Sequence, residues 1–256
     1  MKIAVITGAS SGMGKEFVLQ IGREEQFDEI WAIARSRERL EALKAECTIP
    51  IRPVSLDLTA PDAMEIYAAM LREHQPEVSL LVNASGFGKF APIEEVGAQE
   101  SANMIDLNCR ALTVLTELTL PYMKKGSRIA QIASVAAYQP VPYIATYAAT
   151  KAFVLSYTRS LGVEMEQRGI RVMAVCPYWT DSSFFDRAQP KEKRYITNFT
   201  VMLDPADVVK QAIRDLYHTK KPVSIFHWKV KLQVLGVKLL PHTWVMKIFL
   251  RQQGIK

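Results

Sequence analysis

Tyr147 and Lys151 stand four positions apart, so on a helix they share one face. A phenol alone titrates near pH ~10, too high to exchange a proton readily at neutral pH. A lysine ammonium about one turn away stabilises the phenolate and lowers that value. Ser134 closes an apolar run upstream, and its hydroxyl is suited to hold a carbonyl oxygen beside the phenol. The three side chains compose an acid–base site of the kind hydride chemistry needs. Taken alone, Tyr-x-x-x-Lys is common by chance and reads better as a bland surface pair, so its meaning depends on what positions it.

That context starts at the other end of the chain. Lys2 to Lys15 reads KIAVITGASSGMGK: a short apolar run, Ile3 to Ile6, then a turn with Gly8, Gly12 and Gly14, then amphipathic helical sequence with Phe17, Val18 and Ile21. Strand, glycine turn and helix form the first unit of a dinucleotide-binding βαβ fold. Glycines let the backbone turn tightly and approach a pyrophosphate set against the positive end of the helix dipole. Thr7, Ser10 and Ser11 add short hydroxyls for phosphate or ribose. The bland alternative is an ordinary βα turn rich in small residues.

Further strands are expected at Glu29 to Ala34, Pro50 to Ser55, Val78 to Val82, Ser127 to Ala133 and Ile170 to Cys176. Helical sequence separates them, through about Glu46, over Pro61 to His74, from about Gln99 to Met123, and over 145–168. Strands alternating with helices predict an α/β fold: a Rossmann-type, doubly wound parallel sheet with helices on both faces and the site outside the carboxyl ends of the strands. The second strand ends in Arg35, with Ser36 and Arg37 beside it and no acid at the tip. A cation there suits the 2′-phosphate of NADP better than the free 2′-hydroxyl of NAD. Arg39 reads as a solvated helix-start residue.

With 256 residues, half of them apolar, the chain has enough for one large α/β domain. No apolar run reaches the ~20 residues that span a bilayer, and Met1-Lys2 leads straight into the first strand, so no leader is expected. Cys47, Cys109 and Cys176 are far apart and fit a reduced cytoplasm. His74, His218, His227 and His242 are scattered, so no metal site is proposed. The formal charge of +6 is uneven: from Leu216 onward there are eight Lys/Arg and no Asp/Glu, leaving a body of net −2. A nucleic-acid partner is not indicated, since a binding groove spreads its basic groups.

In these motifs and their order the sequence resembles the short-chain dehydrogenase/reductase family, in its TGxxxGxG and YxxxK branch, over about residues 1–220. Thr7 to Gly14 matches the cofactor turn, Asp57 the adenine-contacting aspartate, and Asn83-Ala84-Ser85-Gly86 the Asn-Asn-Ala-Gly motif. Asn108, Ser134, Tyr147 and Lys151 match the catalytic tetrad. The resemblance implies NADP-dependent carbonyl reduction or its reverse. Tyr147 would be the acid or base, Lys151 would depress its pKa and bind the nicotinamide ribose, Ser134 would orient substrate, and Asn108 would link Lys151 to solvent through water. The implied cofactor contacts are Gly8, Ser10, Ser11, Gly12, Met13, Gly14, Arg35, Asp57, Leu58, Asn83, Ala84, Ser85, Tyr147, Lys151, Pro177, Thr180 and Ser182. Family members are commonly dimers or tetramers built on the two long helices.

One departure from the pattern is Tyr178, where the family has glycine after the sixth strand; Ser182 stands for its carboxamide-contacting threonine. The Tyr178-Trp179 pair either walls the substrate pocket or packs against the lid. Phe184-Phe185 through Thr200 is the expected lid, with Lys191, Lys193 and Arg194 at its outer part. Residues 1–221 form the expected catalytic domain, and 222–256 a basic apolar extension broken at Pro241. Val230, Val234 and Val237 with Leu232, Leu235 and Leu239 are read as one broad helical face, and Trp244, Val245, Ile248 and Phe249 repeat the pattern. The extension either packs over the cleft or a second subunit, or lies on an anionic membrane. Three other functions remain open: a cofactor-binding sensor without turnover; a sugar-nucleotide epimerase or dehydratase, although these usually carry T-G-x-x-G-x-x-G; and a membrane-recruited scaffold driven by the tail, which would not explain the tetrad.

Overall fold

A computed structural model of the chain describes residues 1–181, 184–189, 194–199 and 201–255. Seven parallel strands form one sheet in the order β3-β2-β1-β4-β5-β6-β7. They are β1 Lys2–Thr7, β2 Glu29–Ala34, β3 Ile51–Ser55, β4 Glu77–Asn83, β5 Arg128–Ile132, β6 Arg171–Val175 and β7 Val223–Ser224. Their near-continuous apolar runs are what a sheet covered on both faces requires. Successive side chains of β1 serve opposite cores: Ala4 and Ile6 pack with Phe17 and Val18, whereas Ile3 and Val5 pack with Tyr67 and Leu115.

The helices are α1 Gly12–Gln20, α2 Arg37–Leu43, α3 Ala63–His74, α4 Ile93–Val96, α5 Ala98–Ile105, α6 Leu112–Thr119, α7 Ala145–Glu166, α8 Phe184–Ala188, α9 Pro205–His218, α10 Trp228–Leu239 and α11 His242–Gln252. Strand order reverses between β1 and β4, which opens the crevice where ligands of such sheets bind. Between α5 and α6 the helix widens into a π-helical stretch, Asp106–Ala111, a local distortion often found at functional sites.

Two expectations about the C-terminal part need correction. Val223–Ser224 pairs with β6 and extends the sheet, so the boundary expected after residue 221 cuts off a strand; two residues are too few for periodicity to reveal. The single broad face expected for the extension is in fact two faces. Val230, Val234 and Val237 are buried, while Leu232, Leu235 and Leu239 are exposed on the other side of α10. Among the described residues, no helix is long and apolar enough to cross a membrane.

Candidate active site

Close packing builds the site from β1 onward. Gly8 holds φ of 67°, and a Cβ there would lie 2.8 Å from the carbonyl carbon of Ala84. A Cβ on Gly14 would lie 2.2 Å from the Gly8 oxygen. Only glycine lets the turn, the end of β4 and the start of α1 approach this closely. Thr7, expected as a ligand hydroxyl, is instead a scaffold group: its Oγ1 accepts the Ala84 and Ser85 N–H groups, each at 3.0 Å. Ser11 caps α1 in extended backbone with its hydroxyl unbound to the helix amides, so these amides and the hydroxyl face the cleft together.

The cleft at the strand ends has a volume of about 520 Å³. Gly8, Ser10, Ser11, Gly12, Met13, Gly14, Arg35, Asp57, Leu58, Ala84, Ser85, Tyr147, Lys151 and Pro177 all line it. Asn83 does not: it is buried, and its amide donates to Thr116 Oγ1 at 2.9 Å, tying β4 to α6. Thr180 lines the neighbouring pocket instead, and Ser182 lies outside the described residues, as do Lys191 and Lys193.

Arg39, read as solvated, joins Arg35 in the cleft wall, as does Arg187 from α8. The Arg187 guanidinium lies 3.5 Å from the centre of the Phe87 ring. Burial and the nearby Arg35 charge both make its protonation harder. Burial works against the Asp57 charge, but hydrogen bonds from Thr59 and the Arg35 and Arg187 charges hold its carboxyl below the ordinary value. Sequence reasoning missed Arg187 because a basic residue after Phe184-Phe185 has no positional signature; only the fold of the lid brings it back across the cleft.

Ser134 lies two residues beyond β5 and caps a 3-10 turn, its Oγ accepting the Ala136 N–H at 3.1 Å, while Tyr147 and Lys151 lie one turn apart on α7. The Lys151 ammonium is buried, donates to the Ile132 oxygen at 2.6 Å, and lies 5.7 Å from the Tyr147 ring centre. Burial lowers Lys151 to about 8. Burial raises Tyr147 to about 12, although a hydrogen bond with Ser134 works the other way. Desolvation thus sets the direction for the phenol, and the opposing contribution comes from Ser134. Asn108, fully buried in the π-helical turn, donates from Nδ2 to Phe87 O at 2.9 Å and to Thr150 Oγ1 at 3.0 Å. Its Oδ1 accepts the Phe87 N–H at 3.0 Å. Asn108 thus fixes the loop after β4 against α7.

Beside the cleft is a second cavity of about 320 Å³, apolar and lined by Ser134, Tyr178, Trp179 and Phe185 among others. The two cavities share Met13, Tyr147, Pro177 and Phe184, so the phenol stands where they meet. The Tyr178-Trp179 pair lines this cavity, and Trp179 also packs on Phe185 and Phe199 of the segment expected as the lid. Phe90, fully buried, sets its ring against Tyr147, Trp179, Phe184 and Phe185. Gly88 makes room for this: a Cβ there would lie 2.8 Å from the Tyr147 ring. The far wall comes from the C-terminal helices, through Val234, Val237, Val245 and Phe249. Cys109 and Cys176 are raised by burial to about 11 and about 12 and stay protonated. Among the described residues no group of His, Cys, Asp and Glu is arranged for a metal.

This architecture has relatives. The family model for short chain dehydrogenases matches residues 2–193. An uncharacterized oxidoreductase of Staphylococcus epidermidis is 27% identical over 219 residues, covering 85% of this chain and 93% of its own. A very-long-chain 3-oxoacyl-CoA reductase of Aspergillus clavatus is 31% identical over 188 residues, with 70% of this chain and 54% of its own covered. The chain thus spans about half the length of that fungal enzyme. A short-chain dehydrogenase from Sphingobium yanoikuyae in complex with NADPH superposes with a TM-score of 0.78 at 26% identity, covering 92% of each chain. The chain belongs to the short-chain dehydrogenase/reductase family and is an oxidoreductase acting on a CH–OH/C=O group.

Proposed function

We propose that this protein uses NADP(H) to reduce an apolar ketone or aldehyde to its alcohol, or to run the reverse reaction, with Tyr147 as the acid or base. The position of the Tyr147 phenol at the junction of a polar cleft and an apolar pocket carries this reading.

The residues present fit a nicotinamide dinucleotide. The N-terminal amides of α1, with Ser10 and Ser11, would take the pyrophosphate. Asp57 and Leu58 would take the adenine, and Ala84 and Ser85 would border the ribose. Arg35, Arg39 and Arg187 surround the end of the cleft where a 2′-phosphate would be held, which favours NADPH over NADH. Lys151 would hold the nicotinamide ribose, and Pro177 would border the carboxamide side. The dinucleotide supplies the hydride when bound.

The chain's own groups then manage the proton. Ser134 orients the substrate oxygen toward Tyr147. A phenol raised to about 12 stays protonated at neutral pH and is ready to donate in the reductive direction. As its proton leaves, the Lys151 ammonium, itself still protonated below about 8, stabilises the phenolate. Asn108 acts by position, fixing the Phe87 loop and α7 around the pair. The aromatic pocket excludes water and selects apolar carbonyl compounds, in keeping with the acyl substrate in the name of the fungal relative. A homodimer or homotetramer built on α5, α6 and α7 belongs to the same proposal; Ile105, Phe153 and Val163 are the exposed apolar groups such contacts would cover.

The test is consumption of NADPH, with NADH in parallel, across a graded series of aldehydes and ketones. Turnover that favours NADPH, rises with apolar substrate size and vanishes in Tyr147→Phe supports the reading. Tight NADPH binding with no turnover of any carbonyl would replace it with a sensor.

A further inference from the structure

The helices that close the pocket have a second apolar face, and that face looks outward. Trp228, Leu232, Leu235 and Leu239 recur at intervals of four, three and four residues, which on α10 makes one narrow stripe. They are 62%, 57%, 55% and 77% exposed. Trp244 and Ile248 continue the exposed apolar surface on α11. Helical periodicity puts Lys229 on one flank of the stripe and Lys231 and Lys238 on the other. Lys247 and Arg251 fall beside Trp244 and Ile248 in the same way. Among the described residues none of these five cations is ion-paired, although Lys238 lies 5.1 Å from the centre of the Tyr138 ring. No Asp or Glu occurs after Asp215.

We propose that this outer face docks on an anionic lipid bilayer, with α10 and α11 lying in the headgroup layer. Exposed apolar stripes of this size mark an interaction surface, and the border here is cationic only. A second copy of the chain would bring the same five cations against each other, whereas an anionic surface neutralises them. Tryptophan and lysine interleaved with leucine suit the boundary between headgroups and acyl chains. Helices of 12 and 11 residues are too short to span and long enough to lie flat.

The docking face is also the mouth of the pocket. Leu240 and Ile248 are both exposed, and both line the pocket that reaches Tyr147. An apolar substrate dissolved in the acyl layer would enter there without crossing water. This limb rests on the reductase reading above; the docking itself does not.

Co-sedimentation of the full chain with vesicles separates the two. Binding is expected with phosphatidylcholine–phosphatidylserine vesicles and not with phosphatidylcholine alone. Leu235→Glu with Leu239→Glu should abolish it, and Lys229→Glu with Lys231→Glu should weaken it by about thirtyfold or more. Neither pair lines the pocket, so NADPH oxidation with a water-soluble ketone should be unchanged in both variants. With an apolar ketone presented in anionic vesicles, both should lose most of the rate. Absence of vesicle binding, or equal binding to both lipids, overturns the proposal. So does a dimer in solution that the Leu235→Glu, Leu239→Glu pair dissociates. Vesicle binding by a chain that turns over no carbonyl sustains the docking and removes the reductase reading instead.

Discussion

Gln253 grips the backbone around Asn198 in both directions: its Oε1 accepts the Thr197 and Asn198 N–H groups at 3.0 and 2.9 Å, and its Nε2 donates to the Asn198 oxygen at 3.0 Å. Asn198 returns a fourth bond, from Nδ2 to the Gln252 oxygen at 3.0 Å. Residues 252–253 are thereby strapped to residues 197–198, and Asn198, Gln252 and Gln253 together form part of the wall of the apolar pocket. Gln253→Ala removes three of these bonds. It is expected to raise KM for apolar substrates by about tenfold with little change in NADPH affinity. Hydrogen exchange at Thr197 and Asn198 should quicken in the same variant; unchanged exchange would refute the strap.

Replacing the phenol of Tyr147 removes the proposed proton donor and leaves the packing with Phe90 and Phe184 in place. Tyr147→Phe should lower kcat by ~10²–10⁴-fold. Fluorescence titration should show NADPH binding close to that of the parent chain.

Gly88→Ala tests geometry alone, since the new methyl group meets the Tyr147 ring. A ring displaced by about an ångström costs up to ~10² in rate. Steady-state kinetics should show the loss in kcat, with NADPH binding unaffected.

Arg35→Ala and Arg187→Ala each remove one cation from the proposed 2′-phosphate end of the cleft. Each should raise KM for NADPH by about tenfold or more and leave KM for NADH nearly unchanged. Equal effects on both cofactors would assign these arginines to another role.

Lys151 makes a prediction about pH. Its ammonium titrates near 10.5 when exposed and about 8 in the fold. Between those values the unfolded chain holds a proton that the folded chain has released. Stability therefore rises with pH across this window, and the cost of burying the charge is felt in full below it. The displacement corresponds to roughly 3 kcal/mol. Tyr147 acts oppositely, since a phenol raised to about 12 removes stability from pH ~10 upward. Urea unfolding of the parent chain should show the midpoint climbing above pH 8, and Lys151→Met should flatten the climb. Carbonyl reduction should decline above the same pH as the ammonium is lost.

All of the sheet but β7 was legible because most of its strands are short apolar runs closed by small or polar residues at their carboxyl ends, as Thr7-Gly8 and Asn83-Ala84 illustrate. The cleft residues followed, since strand ends converge once the order is known. What stayed hidden depends on which way a side chain turns. Asn83 and Thr7 have the right types for ligand contact but spend their polar atoms on Thr116 and the β4 end. The valines and leucines of α10 are equally apolar in sequence, and only the position of the pocket decides which turn inward. Arg187 and Gln253 act across tertiary distances that no local pattern encodes.

The roof of the pocket has a consequence for the order of synthesis. Every group of the tetrad has left the ribosome once Lys151 has, and the sheet lacks only β6 and β7 at that point. Val234, Val237, Val245 and Gln253 follow roughly 80 to 100 residues later. Both cavities also need residues made within that interval, Pro177, Phe184 and Arg187 for the cleft and Tyr178, Trp179 and Phe185 for the apolar pocket. Until α10 and α11 follow, the apolar pocket has no wall on the side that Val234, Val237 and Val245 supply.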